Sequence, residues 1–238
     1  MTNDSPDLTP AEQKRRVAQG YDQVSLAYRA DDYDYTNSGY ARILNLVVGE
    51  FEPADRIVEL GCGNGIPVTR ALAEHCRVTG VDISAVQLAR ARTLVPNADF
   101  IRADMATLDF RPASLAAVVA FWSIIHIPLE DQPALLARIL EWLQPGGLFL
   151  CSVGYNHWIG AETDWLDVPG ATMYWSHVDR DTYRDWFTAA GYLIVREDFL
   201  PDTLGPDPVG ATVFFARKPP LSTDHSPSPR ARGEGAGG

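Results

Sequence analysis

Three glycines at alternate positions follow an acidic residue in the stretch IVELGCGNGIP. Gly61, Gly63 and Gly65 come directly after the short apolar run that contains Glu59. Glycine allows a tight turn and lets the backbone approach a ligand closely. A helix that begins after such a turn presents free N–H groups and a partial positive charge. These residue types and their spacing predict a binding site for a small molecule.

Two classes of ligand use a turn of this kind. A dinucleotide pyrophosphate prefers the pattern G-x-G-x-x-G, and Ile66 stands where its third glycine would be. The Glu59 carboxylate would repel a pyrophosphate, whereas it would attract a ligand that carries an ammonium group. The pattern therefore favours a ligand with a positive charge over a dinucleotide.

An alternation of strands and helices begins at Arg56 and positions this turn. The runs typical of strands are RIVELG, RVTGVD, ADFIRAD, LAAVVAF and LFLCSV. The segments between them have helical spacing, as in PALLARILEWL. Repeated alternation predicts an α/β fold with a doubly wound, mostly parallel sheet and right-handed crossovers. Because ligands bind beyond the carboxyl ends of such strands, the glycine turn lies at the expected site.

The sequence divides into a lid, a core and two terminal segments. Residues 1–8 and 219–238 are expected to be disordered, the second because a segment rich in Pro, Gly and Ser cannot form a core. Residues 9–50 are predicted to form an N-terminal helical lid, whose first helix begins after Thr9 with Glu12 three residues later. Residues 51–218 form the core, with an aromatic-rich insertion at 154–178. Two late strands, YLIVREDFL and ATVFFARK, predict an antiparallel pair.

The composition argues against several classes of partner. The chain has 238 residues, a formal net charge of -11 and a pI of about 4.8, which disfavours nucleic acid held by a basic face. Its three cysteines are scattered and match neither a disulfide framework nor a metal site. A polar N-terminus and the absence of a long apolar run argue against a signal peptide and a membrane span. We expect a cytoplasmic protein with no membrane partner and no metal, and the sequence leaves the oligomeric state open.

Five segments resemble, in order, the motifs of class I S-adenosylmethionine-dependent methyltransferases. VELGCGNG is similar to the family's first motif, and VTGVDIS, IRADM, FWSIIHI and LQPGGLFL follow at strand or helix ends. The resemblance extends over residues 21–218. It implies a Rossmann-like sheet of seven strands with the last strand antiparallel. It also implies an enzyme that transfers a methyl group, with S-adenosyl-L-methionine as its cofactor.

The resemblance further implies which residues contact the cofactor. Asp82 would hold the ribose hydroxyls, and Asp104 and Met105 would contact the adenine. Tyr21 and Tyr28 lie in a segment similar to the family's N-terminal helix that closes over the cofactor. As alternatives, Asp82 can cap the next helix and Asp104 can be an ordinary loop acid. The full predicted set is Tyr21, Tyr28, Glu59, Gly61, Gly63, Gly65, Asp82, Ile83, Asp104, Met105 and Phe121.

Two histidines are candidate catalytic residues. His126 follows the fourth strand, where it can act as a general base or support the following helix. His177 lies in the insertion and either lines the substrate pocket or helps to begin the next helix. The density of aromatic residues in the insertion predicts a substrate cover, in which Glu162 or Asp164 can orient a polar acceptor. The predicted substrate residues are Trp158, Glu162, Trp165, Tyr174 and Trp175.

The sequence as a whole favours an enzyme that methylates O, N, S or C of a small, apolar or aromatic metabolite. Methyl transfer is an in-line displacement, so alignment and exclusion of water are the main contributions expected of the protein. The stretch AFWS lacks both the Asn/Asp-Pro-Pro motif of base methyltransferases and the carboxylate cluster of metal-dependent catechol enzymes. A methyltransferase acting on protein or RNA, and a silent cofactor-binding domain, remain as alternatives.

Overall fold

The computed structural model describes residues 8–201 and 210–221. Within them, the α-helices are α1 Pro10–Tyr28, α2 Gly39–Leu44, α3 Val68–Ala73, α4 Ala85–Leu94, α5 Gln132–Trp142 and α6 Arg180–Ala190. The strands are β1 Arg56–Leu60, β2 Arg77–Asp82, β3 Asp99–Arg102, β4 Leu115–Ala120, β5 Leu143–Gly154, β6 Trp158–Thr163, β7 Thr172–His177, β8 Leu193–Pro201 and β9 Gly210–Arg217.

Seven of these strands form one sheet in the order β3-β2-β1-β4-β5-β9-β8. Strands β1 to β5 run parallel, and β9 lies antiparallel between β5 and β8. The predicted doubly wound fold with a late antiparallel strand is confirmed. The strand order reverses between β1 and β4, so a crevice opens beyond their carboxyl ends. Gly61 follows β1 there and Phe121 follows β4.

Local sequence explains how several elements begin and end. Helix α1 starts with a capping box in which Thr9 and Glu12 satisfy each other's backbone N–H groups. Helix α6 ends at Gly191, whose φ of 99° lies in the left-handed region that glycine tolerates. Strand β4, LAAVVA, is buried at every position because helices cover both faces of the sheet.

The aromatic insertion is more regular than its composition suggests. Strands β6 and β7 pair antiparallel, with Trp158 opposite His177. Helix α1 lies against this hairpin, and a Cβ added at Gly20 would stand 2.6 Å from the Thr172 carbonyl oxygen. The lid and the insertion therefore form one cover, since the helix can approach the strand backbone only where it has no side chain.

The predicted domain boundaries remain predictions. Most of the two terminal segments expected to be disordered lies outside the described residues. The lid comprises α1 and the short α2, joined by residues 29–38. In the described ranges, no helix is both long and apolar enough to cross a bilayer. The same ranges contain no group of three His, Cys, Asp or Glu side chains arranged to hold a metal ion.

All three cysteines are buried and none forms a disulfide. Cys62 lies in the glycine turn, Cys76 follows α3, and Cys151 lies in the central strand β5.

Candidate active site

A pocket lies at the point where the strand order reverses. The space between its lining atoms is about 600 Å³, a volume that includes open solvent at the mouth of the pocket. The lining residues named from the sequence are Tyr21, Tyr28, Gly61, Gly63, Asp82, Ile83, Asp104, Met105, Phe121 and His126. Those that sequence reasoning missed are Lys14, Val17, Ala103, Trp122, Ser123 and Ile127.

The glycine turn has the backbone geometry that its sequence indicates. Gly61, Gly63 and Gly65 have φ values of 77°, 54° and 81°. A Cβ on Gly61 would collide with Ser123, and one on Gly65 would stand 2.9 Å from Val95. The space beside Gly63 is open. Gly63 therefore leaves room for a ligand, whereas Gly65 serves packing and does not line the pocket.

Asp82 lies at the end of β2 and faces the pocket. Its carboxyl accepts hydrogen bonds from the Gly63 and Ser84 N–H groups, each at 2.8 Å. Burial raises the pKa of Asp82 to about 6. The N-cap of α4 is Ser84, whose hydroxyl accepts from the Gln87 N–H. The carboxyl of Asp82 is thus available to the pocket and is not the helix cap.

Glu59 lies behind the glycine turn and does not line the pocket. It is buried, and its carboxyl accepts a hydrogen bond from the Thr69 hydroxyl on α3. Burial raises the pKa of Glu59 to about 8. In this structure the Glu59 carboxyl contacts Thr69 and not the pocket. The predicted contact between Glu59 and the ligand therefore stays a prediction.

Lys14 connects the lid to two acidic loops. Its Nζ lies 3.1 Å from Asp104 and 2.7 Å from Asp131. Burial would lower the pKa of Lys14, but the two carboxylates outweigh it and raise that pKa. The other oxygen of Asp104 accepts from the Ala106 N–H. Asp104 therefore faces the pocket while it holds α1 in place, and its contact with adenine stays a prediction.

A chain of hydrogen bonds runs along the pocket wall through His126. The Nδ1 atom lies 2.7 Å from the Tyr174 carbonyl oxygen, which can only accept, so Nδ1 carries the proton. Nε2 is then the acceptor of the neutral ring, and the Tyr21 hydroxyl donates to it at 2.9 Å. Burial lowers the pKa of His126 to about 4. The ring is therefore unprotonated at neutral pH.

Comparison with known proteins agrees with this geometry. Residues 57–147 match the family model described as a methyltransferase domain. Carboxy-S-adenosyl-L-methionine synthase of Chromohalobacter salexigens is 28% identical over 205 residues, which are 79% of this chain and 73% of that protein. The protein of the same name from Stutzerimonas stutzeri is 32% identical over 133 residues, 48% of this chain. The chain spans about half the length of this second relative, 53%.

Residues 57–147 thus match a methyltransferase domain, and the comparisons support a class I S-adenosylmethionine-dependent methyltransferase. A solved structure with the same fold is 1,6-didemethyltoxoflavin-N1-methyltransferase of Burkholderia thailandensis. It has a TM-score of 0.64 and 20% identity, and the match covers 91% of this chain and 93% of that one. The cofactor of the family is S-adenosyl-L-methionine.

The pocket of this methyltransferase fits that cofactor. The open space beside Gly63 admits a ligand against the backbone. Asp82 presents a carboxyl that can accept from vicinal hydroxyls, as the acid at the end of a second strand does in related folds. Ile83 and Met105 provide apolar walls for a flat ring. Asn64, buried within the turn, has an amide nitrogen without a partner among the described residues.

The predicted substrate residues of the methyltransferase lie one layer behind the pocket. The ring centroid of Trp165 is 5.8 Å from that of Tyr21, and that of Trp175 is 5.7 Å from that of His126. Trp158 packs against Trp175. The carbonyl of Tyr174 holds His126, and Glu162 is exposed on β6. None of the five lines the pocket in the described structure, so their role as direct substrate contacts stays a prediction.

His177 lies away from the pocket lining. Its Nδ1 is 2.7 Å from the Asn156 carbonyl oxygen, and its ring packs beside Trp158. The N-cap of α6 is Asp179, whose side chain accepts from the Thr182 N–H. His177 thus holds the base of the hairpin, and the geometry singles out His126 as the histidine beside the pocket.

Proposed function

We propose that this methyltransferase acts on a small molecule with an O–H or N–H group, carried on an apolar or aromatic body. The observation that carries this proposal is the cover over the pocket. Helix α1 packs against β7 at Gly20 and is tied down by Lys14. A cover made of a helix and a hairpin disfavours a folded macromolecule as the acceptor and favours a small molecule. The toxoflavin precursor named for the Burkholderia enzyme is an acceptor of this size.

The residues that would hold the cofactor follow from their places around the pocket. Asp82 would accept hydrogen bonds from the ribose, and Ile83, Asp104 and Met105 would surround the adenine. The Gly61–Gly63 backbone would pass beneath the cofactor. When bound, S-adenosyl-L-methionine supplies a methyl group on a sulfonium, and its departure leaves a neutral thioether.

The chain's own residues supply a route for the acceptor's proton. The Tyr21 hydroxyl, on the pocket wall, takes the acceptor proton as its own proton moves to Nε2 of His126. The products are a deprotonated acceptor, a neutral phenol and an imidazolium whose Nδ1–H still donates to the Tyr174 carbonyl. Tyr21 touches the acceptor in this scheme, and His126 receives the proton through it.

A second candidate is modification of the cofactor itself. It is favoured by the two curated relatives, both named carboxy-S-adenosyl-L-methionine synthase. That activity would replace one hydrogen of the cofactor by a carboxyl group taken from a carboxylic acid donor, which would receive the hydrogen in its place, and it would leave small methyl acceptors unmethylated. The masses of the products separate the two candidates.

The test is incubation of the purified full chain with S-adenosyl-L-methionine and a panel of phenols, thiols, amines and carboxylic acids. Mass spectrometry follows S-adenosylhomocysteine, methylated acceptor and carboxylated cofactor. Methylation of one acceptor class, lost in Asp82→Asn, supports the proposal. A carboxylated cofactor supports the second candidate. Tight cofactor binding without any product overturns both and favours a macromolecular substrate or a silent binding domain.

The proton route has its own test in the Tyr21→Phe variant. With the acceptor found above, we expect kcat to fall about 100-fold while cofactor affinity stays within about threefold. Because His126 must be unprotonated, wild-type kcat should fall as pH drops towards about 4, and this limb should vanish in the variant. The matched control is Tyr155→Phe, an exposed tyrosine away from the pocket. Wild-type kcat in Tyr21→Phe would remove the route.

A further inference from the structure

Trp122 has an unusual backbone conformation at the wall of the pocket. Its φ is 53°, in the left-handed region that bulky residues rarely adopt. Five non-glycine residues of the described ranges have a positive φ, and Trp122 is the one of them that lines the pocket. Residues held in such conformations cluster at active sites, where surrounding contacts offset the unfavourable backbone geometry. The observed conformation therefore points to a function for this side chain.

Two buried hydroxyl groups hold the backbone at Trp122. The Trp122 N–H donates to the Ser152 Oγ on β5 at 2.7 Å. The hydroxyl of the next residue, Ser123, donates to the Leu60 carbonyl oxygen of β1, also at 2.7 Å. Both serines are buried, and Ser152 is completely so. The loop after β4 is thus fixed to the strands on both of its sides, and the direction of the Trp122 Cα–Cβ bond is fixed with it.

The indole of Trp122 remains accessible although it packs against the core. It is partly buried and contacts the hydrophobic cluster on one face of the sheet. Three other aromatic residues that line the pocket, Tyr21, Tyr28 and Phe121, each have an aromatic ring as a partner. Within the described ranges, no aromatic ring packs on Trp122. Its face is therefore available for a flat ligand in the pocket.

Trp122 lies on the side of the pocket away from the predicted adenine site. The strand order places β4 and β5 on one side of β1, and β2 and β3 on the other. Trp122 follows β4, whereas Asp82 ends β2 and Asp104 follows β3. Since neighbouring strands are about 4.8 Å apart, about 10 Å separates the ends of β2 and β4. The cofactor's methyl group lies beyond its ribose as seen from the adenine, so an acceptor would enter on the Trp122 side.

We propose that the indole face of Trp122 is the surface on which a planar aromatic acceptor stacks. Ser152 is a positioning residue, because its hydroxyl holds the backbone that directs the indole. This inference rests on the proposed function and narrows its acceptor class from apolar or aromatic molecules to flat aromatic rings. Stacking fixes the plane of the acceptor, so its O–H or N–H group meets Tyr21 in a defined direction.

The test compares benzyl alcohol with cyclohexylmethanol, which share a primary alcohol and differ in the flatness of the ring. Calorimetry measures their binding to the full chain saturated with S-adenosylhomocysteine, so no turnover is needed. Wild type should bind benzyl alcohol about tenfold more tightly. Trp122→Leu should abolish this preference by weakening benzyl alcohol only, and Trp122→Phe, which keeps a flat ring, should retain part of it. Trp186→Leu is the matched control, since Trp186 packs against Tyr183 on α6 and does not line the pocket.

Ser152→Ala tests the positioning role, because it removes the oxygen that accepts from the Trp122 N–H. The preference for benzyl alcohol should fall about threefold or more, while the affinity for cyclohexylmethanol stays within about twofold of wild type. A serine with a structural role alone would weaken the binding of both alcohols equally. Thermal melting checks that each variant folds. Trp122→Gly replaces Trp122→Leu if the latter does not fold, since glycine accepts a φ of 53°.

The affinities for the two alcohols decide the inference. Equal binding of both by wild type, or binding of neither, would overturn the stacking surface. Equal weakening of both in Trp122→Leu would also overturn it and would make Trp122 a wall of the pocket only. The proposed function fails in a different way, by the absence of methylated product with every acceptor, whereas these affinities require no methyl transfer.

Discussion

Replacing Glu59 with Gln should stabilise the fold by an amount that grows with pH. Burial raises the pKa of Glu59 to about 8, against 4.5 for the free side chain. At neutral pH the folded chain keeps this carboxyl protonated, whereas the unfolded chain ionises it. Unfolding therefore releases a proton, so the stability that is present below pH 4.5 is lost as pH rises towards 8.

The size of this loss follows from the two pKa values. Each pH unit above 4.5 removes about 1.4 kcal/mol until the folded-state pKa is reached. The penalty is about 1 kcal/mol at pH 5, about 3 kcal/mol at pH 7 and about 5 kcal/mol above pH 8. Gln keeps an oxygen that can accept from Thr69 and has no proton to release. The amide N–H₂ of Gln changes the free energy of unfolding by an amount that does not depend on pH. The change with pH in the stability difference between variant and wild type is therefore the quantity that tests the reasoning.

The assay is urea unfolding followed by tryptophan fluorescence at pH 5, 7 and 8.5. The stability of Glu59→Gln relative to wild type should rise by about 4 kcal/mol between the two extremes. Glu74→Gln, at an exposed position, controls for the loss of one negative charge. The reasoning would be refuted if the difference in the free energy of unfolding between Glu59→Gln and wild type were the same at all three pH values. It would also be refuted if that difference fell as pH rises.

Two further predictions concern the lid. Gly20→Ala places a Cβ 2.6 Å from the Thr172 carbonyl oxygen. The substitution should therefore lower the free energy of unfolding by about 1–3 kcal/mol and speed hydrogen exchange in α1. Wild-type values in both measurements would contradict this prediction. Lys14→Met keeps the aliphatic stem but leaves Asp104 and Asp131 without their shared cation. Calorimetry should show about tenfold weaker cofactor binding, and unchanged affinity would mean that the lid closes without this contact.

The fold could be predicted because its signals are local. The apolar run LAAVVA, the capping residues of α1 and Gly191 each specify an element without reference to the rest of the chain. The hairpin of β6 and β7 was not predicted, since helix α1 covers it from a distant part of the sequence. Its composition alone resembles an irregular loop.

The pocket residues at the ends of strands were predicted from the sequence, whereas those on the face of helix α1 were missed. Asp82 is the last residue of β2, Asp104 and Phe121 follow β3 and β4, and all three were found. Lys14 and Val17 were missed, although they lie three and four residues apart on the face of α1 that carries Tyr21, a spacing that could have identified them. The direction of the Glu59 side chain depends on Thr69, which strand alternation does not reveal.

The three buried thiols provide native probes of local opening. Burial raises the pKa of both Cys62 and Cys151, so a thiol reagent reacts with either only after the surrounding structure opens. Cys151, in the central strand, should become reactive only on global unfolding, while Cys76 senses fraying at the end of α3. Cys62 senses the glycine turn, and a bound ligand should slow its modification more than that of Cys76. Pulsed labelling of the unaltered chain can thus time the opening through which ligands exchange.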